Sequence, residues 1–168
     1  SDGQFFPEAT ANSGARTAVR AQRFAASAAA DRGAGEIQHP HRDANLARGF
    51  RAIKMKVGRP DLREDVERLA AMRAHLGADF PLMVDANMAW TADQAIRAAR
   101  AFAPHDPLWL EEPTIPDDPA GHARIVREGG LPIAAGENLR TLWEFKLYIA
   151  GGGVTYPEPD VTNCGGIT

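Results

Sequence analysis

From residue 50 onward the chain repeats one pattern. A short apolar run leads to a charged or amide exit, and a stretch with helical spacing follows. The apolar runs are 50–57, 81–85, 108–111, 132–135 and 154–160. Their apolar residues are nearly continuous, which fits parallel strands buried on both faces better than strands half open to water. After the first run, Asp61 can cap a helix over 62–76, with Val66, Leu69, Ala70 and Met72 or Arg73 in helical spacing and Gly77 at its end. Thr91 or Asp93 starts a second helix with Ala95, Ile96, Ala99 and Phe102 inward, and Pro104 stops it. A short third helix spans 120–128. A fourth runs from Thr141 or Leu142 through Ala150, with Leu142, Phe145, Leu147 and Ile149 as its apolar face.

Residues 1–47 read differently. Ala, Arg, Ser and Gly dominate, and 18–30 has helical propensity but only Val19 and Phe24 as large apolar residues. The stretch 33–45 is polar, contains Pro40, and reads as loop; Phe5-Phe6-Pro7 is the one cluster suited to packing. No strand is expected there. The chain thus divides into an atypical segment, 1–47, poorly packed or disordered, and a regular one, 48–168.

The charged exits recur at a fixed interval. From Lys56 to Asp85 is 29 positions, then 26 to Glu111, 26 to Glu137 and 23 to Asp160. That interval holds one strand, one helix and two loops, the unit of a βα barrel with its chemistry at the strand ends. A complete eight-unit barrel needs about 250 residues, so a chain of 168 holds five or six units. The predicted fold is α/β: a partial TIM-type (β/α) barrel of about five βα units with an irregular or partly helical N-terminal arm. A net charge of −3 gives no footprint for nucleic acid or an anionic membrane. No apolar run approaches the ~20 residues that span a bilayer, and Cys164, the only cysteine, cannot form an internal disulfide. A cytoplasmic protein is the default expectation.

Three of the exits are carboxylates. Side chains at the ends of neighbouring strands, about 4.8 Å apart, can converge, and Asp85, Glu111 and Glu137 would then repel one another. A hard divalent cation resolves that repulsion. All-oxygen donors with no His or Cys in register favour Mg²⁺, or Mn²⁺, over zinc. The plainer alternative makes each a solvated loop acid. Lys54 and Lys56 lie two apart in a strand and share a face. Their mutual repulsion and a nearby cation would lower a lysine pKa into the range of a general base. A cation to hold a substrate carboxylate and a lysine to remove the adjacent α-proton together suit abstraction through an enediolate.

The motifs Lys54-Met-Lys56, Val84-Asp-Ala-Asn87, Leu110-Glu-Glu-Pro113, Gly136-Glu-Asn138, and Pro159-Asp160 followed by Gly165-Gly166 resemble the barrel domain of the enolase superfamily. They are most similar to its mandelate racemase/muconate lactonizing enzyme branch. Each motif is weak alone; five in order at βα spacing are specific. The resemblance implies Mg²⁺ on Asp85, Glu111 and Glu137, with Lys56 as the catalytic base. It also implies that Lys54 touches the substrate carboxylate and tunes the base, and that Asp160 orients a catalytic histidine one βα unit further on. Asn87 and Asn138 match polar positions that line the substrate site. Asn163 stands where the muconate-cycloisomerase and dipeptide-epimerase subgroups carry a lysine, which points to the Asp-His subgroup of racemases and acid-sugar dehydratases. The implied function is dehydration of a small sugar carboxylic acid, or alternatively racemisation of a 2-hydroxy acid, in a homo-oligomer. None of His39, His41, His75, His105 and His122 is expected at a strand end; all read as helix, loop or surface. Two other readings compete: a truncated, catalytically incomplete metal-binding remnant, and a doubly wound domain with coincidental acids.

Overall fold

A computed structural model describes residues 25–27 and 47–166, the first three by their backbone pairing. One parallel sheet takes six strands in chain order: β1 Ala25–Ser27, β2 Ile53–Lys56, β3 Leu82–Asp85, β4 Leu110–Glu111, β5 Ile133–Ala135 and β6 Tyr156–Pro157. A doubly wound sheet would reverse its strand order at a switch point. Here each strand pairs with the next, as in a barrel. The helices are α1 Leu62–Leu76, α2 Ala92–Phe102, α3 Pro119–Gly129 and α4 Leu142–Ala150, with a 3₁₀ turn at Ala103–His105. Among the described residues no helix is long and apolar enough to cross a membrane.

Alternation along the strands separates two apolar layers. Ile53, Met55, Leu82, Val84, Leu110 and Ile133 face the helices and pack with Leu69, Met72, Ile96, Phe102 and Ile125. Ala52, Met83, Trp109 and Ala134 form the opposite, inner face with Tyr156, whose ring lies 5.4 Å from that of Trp109. The inner face carries the candidate chemistry, one step further along each strand.

Local signals explain the helix ends. Asp61 caps α1 through Arg63 N, Glu64 and Asp65 stand in its positive first turn, and Gly77 ends it at φ +83°. Thr91–Gln94 and Thr141–Glu144 close reciprocal capping boxes on α2 and α4. The fully buried Asp65 accepts from Gly58 N at 2.8 Å and Arg59 N at 2.7 Å and pairs with Arg68 at 2.8 Å. It thereby fixes the turn just past Lys56. Gly58, at φ +103°, is needed there: a Cβ would sit 2.8 Å from Ala89 Cβ and 3.1 Å from Ala86 O.

Two expectations are corrected. Residues 25–27 form a strand parallel to β2, in register Ala25↔Ile53, where helical propensity predicted no strand. Pairing with a neighbouring strand overrides the weak preference of alanine. The helix (18–30), loop (33–45) and Phe5-Phe6-Pro7 readings otherwise lie outside the described residues. In α4, Leu142, Leu147 and Ile149 are more than half exposed, as is Trp143, and Tyr148 is the buried residue. The helix is apolar almost all round, so spacing could not choose its inner face. The Tyr148 hydroxyl, donating to Pro116 O at 2.7 Å, chooses it instead.

Candidate active site

Strand register assembles the charges. Lys56 is level with Asp85, and Asp85 with Glu111, so three adjacent strands end in charge. Lys56 Nζ donates to Asp85 Oδ2 at 2.6 Å and to Asn87 Oδ1 at 2.5 Å. Lys54 Nζ donates to Glu111 Oε1 and lies 3.3 Å from Asp85 Oδ2. Trp109 Nε1 donates to the other Glu111 oxygen at 3.1 Å. The Asp85 and Glu111 side chains are 2% and 1% exposed, whereas Lys56 is 39% exposed and reaches the surface.

The electrostatics depart from expectation at Lys54. Burial works to lower its pKa, but the hydrogen bond and charge of Glu111, with Asp85 behind, hold it above the ordinary lysine value. The depression expected at Lys54 from the neighbouring ammonium group is overridden by these two carboxylates, and Asp85 Oδ2 lies within reach of both lysines. Burial raises Glu111, and Asp85 adds to that against the opposing pull of Lys54 and Trp109.

Glu137 and Asn138 stand on the exposed exit of β5. Asn138 Nδ2 donates to Glu112 Oε1 at 2.6 Å. Glu112 is 3% exposed, and its Oε2 is buried without a donor among the described residues. Burial raises Glu112, Asn138 opposes this, and the facing Glu137 carboxyl raises it further.

Asp160 lies beyond β6, exposed, just before a turn over 161–165. Its Oδ1 accepts from Thr162 Oγ1 at 2.6 Å and Thr162 N at 2.8 Å, which hold it below the ordinary carboxylate range. Nearer the rim is Glu158. Its Oε2 is buried with no donor among the described residues, and burial, with Glu111, Glu137 and Asp85, pushes its carboxyl up to about 8 against the pull of Lys54. His122 stands on a helix, α3, as expected, and is buried there, with Nδ1 3.1 Å from Asp118 O and 3.2 Å from the Tyr148 hydroxyl. His75 and His105 lie in helical segments, and His39 and His41 fall outside the described residues.

Lys54, Lys56, Asp85, Asn87 and Glu111 are therefore one cluster, Glu112, Glu137 and Asn138 a second beside it, and Asp160 belongs to neither. Sequence reasoning missed Trp109, Glu112 and Glu158. The period of two was a usable signal for Trp109, two residues before Glu111, and for Glu158, two after Tyr156. Glu112, at φ +40°, had no such signal.

Among the described residues, no three His, Cys, Asp or Glu side chains are drawn into a cation cage. The donor chemistry nonetheless fits a hard divalent ion. The donors are all oxygens. The carboxyl groups of Asp85, Glu111, Glu112, Glu137 and Glu158 outnumber the two ammonium groups, and buried carboxyl oxygens are left without partners.

Comparison with known proteins agrees with this chemistry. The model of the enolase C-terminal domain-like family matches residues 38–168. A 3,6-anhydro-alpha-L-galactonate cycloisomerase of Streptomyces coelicolor is 68% identical over 126 residues, 75% of this chain and 35% of that protein. An L-talarate/galactarate dehydratase of Salmonella typhimurium is 42% identical over 120 residues, 71% of this chain and 30% of that one. The chain thus spans about a third of the length of these curated relatives. Among solved structures, a racemase from Streptomyces coelicolor with bound magnesium superposes with a TM-score of 0.80 at 58% identity, over 86% of this chain and 43% of that one. An L-talarate dehydratase from Polaromonas, complexed with Mg and L-glucarate, gives 0.72 at 42% identity, over 74% of this chain and 35% of that one.

Proposed function

The chain belongs to the enolase C-terminal domain-like family, and on that premise we propose that it carries a magnesium-dependent site at which Lys56 removes the proton α to the carboxylate of a sugar-derived acid. One observation carries this reading: Lys54 and Lys56 interleave with Asp85 and Glu111 at the ends of adjacent strands. Asp85 and Glu111, with Glu137 from the neighbouring exit, would hold Mg²⁺ (Mn²⁺ has the same donor preference). When bound, the cation offsets the negative charge that gathers on the substrate carboxylate as the α-proton leaves.

The chain's own residues divide the remaining work. Lys56 moves the proton at Nζ. It is the more exposed lysine, and Asn87 Oδ1 orients it. Lys54 lies deeper, holds Glu111 and Asp85 in place, and offers its charge to a substrate carboxylate. Asn138 is held at the rim by Glu112, where it can meet substrate hydroxyls. Dehydration of the acid is the favoured outcome, in keeping with the dehydratase relatives. Cycloisomerisation is the second reading, favoured by the name of the 68%-identical relative. Both begin with the same proton abstraction.

Calorimetry with Mg²⁺ and α-proton exchange in D₂O, followed by NMR on a panel of aldonic and aldaric acids, test the proposal. Asp85→Asn should weaken Mg²⁺ binding. Lys56→Ala should cut exchange by about 10²- to 10⁴-fold while leaving metal affinity nearly unchanged. Failure to bind Mg²⁺ at millimolar concentration sinks the site. Binding with no exchange on any acid favours the catalytically incomplete remnant.

A further inference from the structure

We propose that Glu158, rather than Asp160, is the acid that β6 turns toward the candidate cation, as an oxygen donor to the ion or to the water it carries. The inference rests on the reading that Asp85 and Glu111 hold a divalent cation.

The placement follows from the inner face of the sheet. In β2, β3 and β4 the site residue lies two positions after an inner-face apolar residue: Lys54 after Ala52, Asp85 after Met83, Glu111 after Trp109. Tyr156 belongs to that same inner layer and stacks on Trp109. Two positions after Tyr156 is Glu158. Trp109–Glu111 and Tyr156–Glu158 are thus parallel aromatic–acid pairs on neighbouring parts of one surface.

The backbone supports the same placement. Pro157 pairs with Ala135, and Glu158 N donates to Ala135 O at 3.1 Å, so β6 tracks β5 to its exit. On β5 the equivalent inner position, two after Ala134, is Gly136. A Cβ there would lie 3.0 Å from Glu158 N and 3.2 Å from Glu158 O. The glycine therefore leaves the inner position on β5 to its neighbour, and β6 brings a carboxyl group up beside it.

The side chain completes the argument. Glu158 Oε2 is buried, with no donor among the described residues. The charged groups that bear on it are Lys54, Glu111, Glu137 and Asp85, the groups of the proposed site. An acceptor in that position calls for a cation or a proton donor. The Asp160 carboxylate is instead exposed and engaged by Thr162, closing the turn that follows.

The test is Mg²⁺ calorimetry on the full chain and on E158Q, E158A, D160N and D85N, with circular dichroism to confirm folding. E158Q and E158A should each weaken affinity by about tenfold to a hundredfold, and D160N should leave it close to wild type. If E158A does not fold, the isosteric E158Q decides. Wild-type affinity in folded E158Q, or a loss in D160N equal to that in E158Q, overturns the assignment of Glu158. If D85N loses binding while E158Q does not, Glu158 alone is wrong. If D85N binds like wild type, or the wild type does not bind, the metal reading fails and takes this inference with it.

Discussion

The two ends of the strands treat charge in opposite ways. At the end where the strands begin, the cation Arg73 meets only neutral acceptors. Its guanidinium donates to the carbonyls of His105 at 2.9 Å, Phe80 at 2.7 Å, Asp106 at 2.8 Å, Gly77 at 3.0 Å and Ala78 at 3.2 Å. These bonds tie α1 to the turns that enter β3 and β4. At the other end, Lys54 and Lys56 are threaded between buried acids, and the Glu112 and Glu158 carboxyl groups each bury an oxygen without a partner. The backbone differs too. Asn87, Met88 and Glu112 are left-handed here, at φ +44°, +63° and +40°, against Asp106 alone, at φ +47°, among the described non-glycine residues of the other end, and a 2.7 Å bond from Met88 N to Glu112 O holds the two loops together. Strain and unsatisfied acid collect where the candidate chemistry lies. Barrels separate stability from function along the strand axis, and this chain shows the separation in its hydrogen bonds.

The largest expected effect tests the charged end. Lys54→Met leaves Glu111 and Asp85 facing each other in a buried setting. Urea denaturation in EDTA should show a loss of about 3–5 kcal/mol, the cost of removing one partner from a buried pair. If these acids hold a cation, Mg²⁺ at roughly a hundred times its dissociation constant should return about 2.7 kcal/mol. A variant as stable as wild type would mean that Lys54 does not neutralise the pair. At the other end, Arg73→Ala should cost about 2 kcal/mol through carbonyls stripped of their donor. Arg73→Lys should recover little, because an ammonium group cannot span that set of carbonyls. Neither change should alter Mg²⁺ affinity. A marked change would mean that the two ends are coupled and the comparison fails.

What the sequence disclosed follows the same division. The helices were legible because their signals are local: Asp61, Gly77, Thr91 and Thr141 cap within a few residues, and the spacing of Ala95, Ile96, Ala99 and Phe102 fixes one face. The charged rim was legible because a βα period places Lys56, Asp85 and Glu111 in register. Quantities set by distant partners were hidden. The direction of the Lys54 shift depends on Glu111, 57 residues away. The five acceptors of Arg73 come from two turns, and the buried face of α4 is set by the bond to Pro116. β1 could not be read because its order comes from pairing with β2. The role that the resemblance gives Asp160, orienting a histidine one βα unit further on, likewise depends on a partner distant in the chain.

The smallest effect concerns His122, a buried polar group near the charged end that belongs to neither cluster. The Tyr148 hydroxyl gives its proton to Pro116 O, and Asp118 O is an acceptor only, so the Nδ1 of His122 must carry the hydrogen between them. Nδ1–H is present in both the neutral ring and the imidazolium, so the charge is decided at Nε2. Burial lowers the pKa of the ring from the ordinary 6.5, outweighing the opposing pull of Asp118. The sign follows from linkage. Above 6.5 neither the folded nor the unfolded chain is protonated at this position. As pH falls below 6.5 the unfolded chain takes up the proton first, and stability is lost down to the depressed folded pKa. Glu158 works the other way. Its carboxyl, pushed up to about 8 from an ordinary 4.5, stays neutral in the fold while the unfolded chain ionises, so it removes stability as pH rises between those values. The wild-type profile alone cannot separate the two. Subtracting the profile of His122→Asn, which keeps a donor near Nδ1 but does not titrate, cancels the Glu158 contribution. The difference between melting temperatures at pH 7.5 and 5.5 should then be larger in wild type than in the variant, by a few degrees at most. Equal differences would mean that His122 is protonated as readily in the fold as in the unfolded chain, and that its burial among Asp118, Pro116 and Tyr148 is not what holds it neutral.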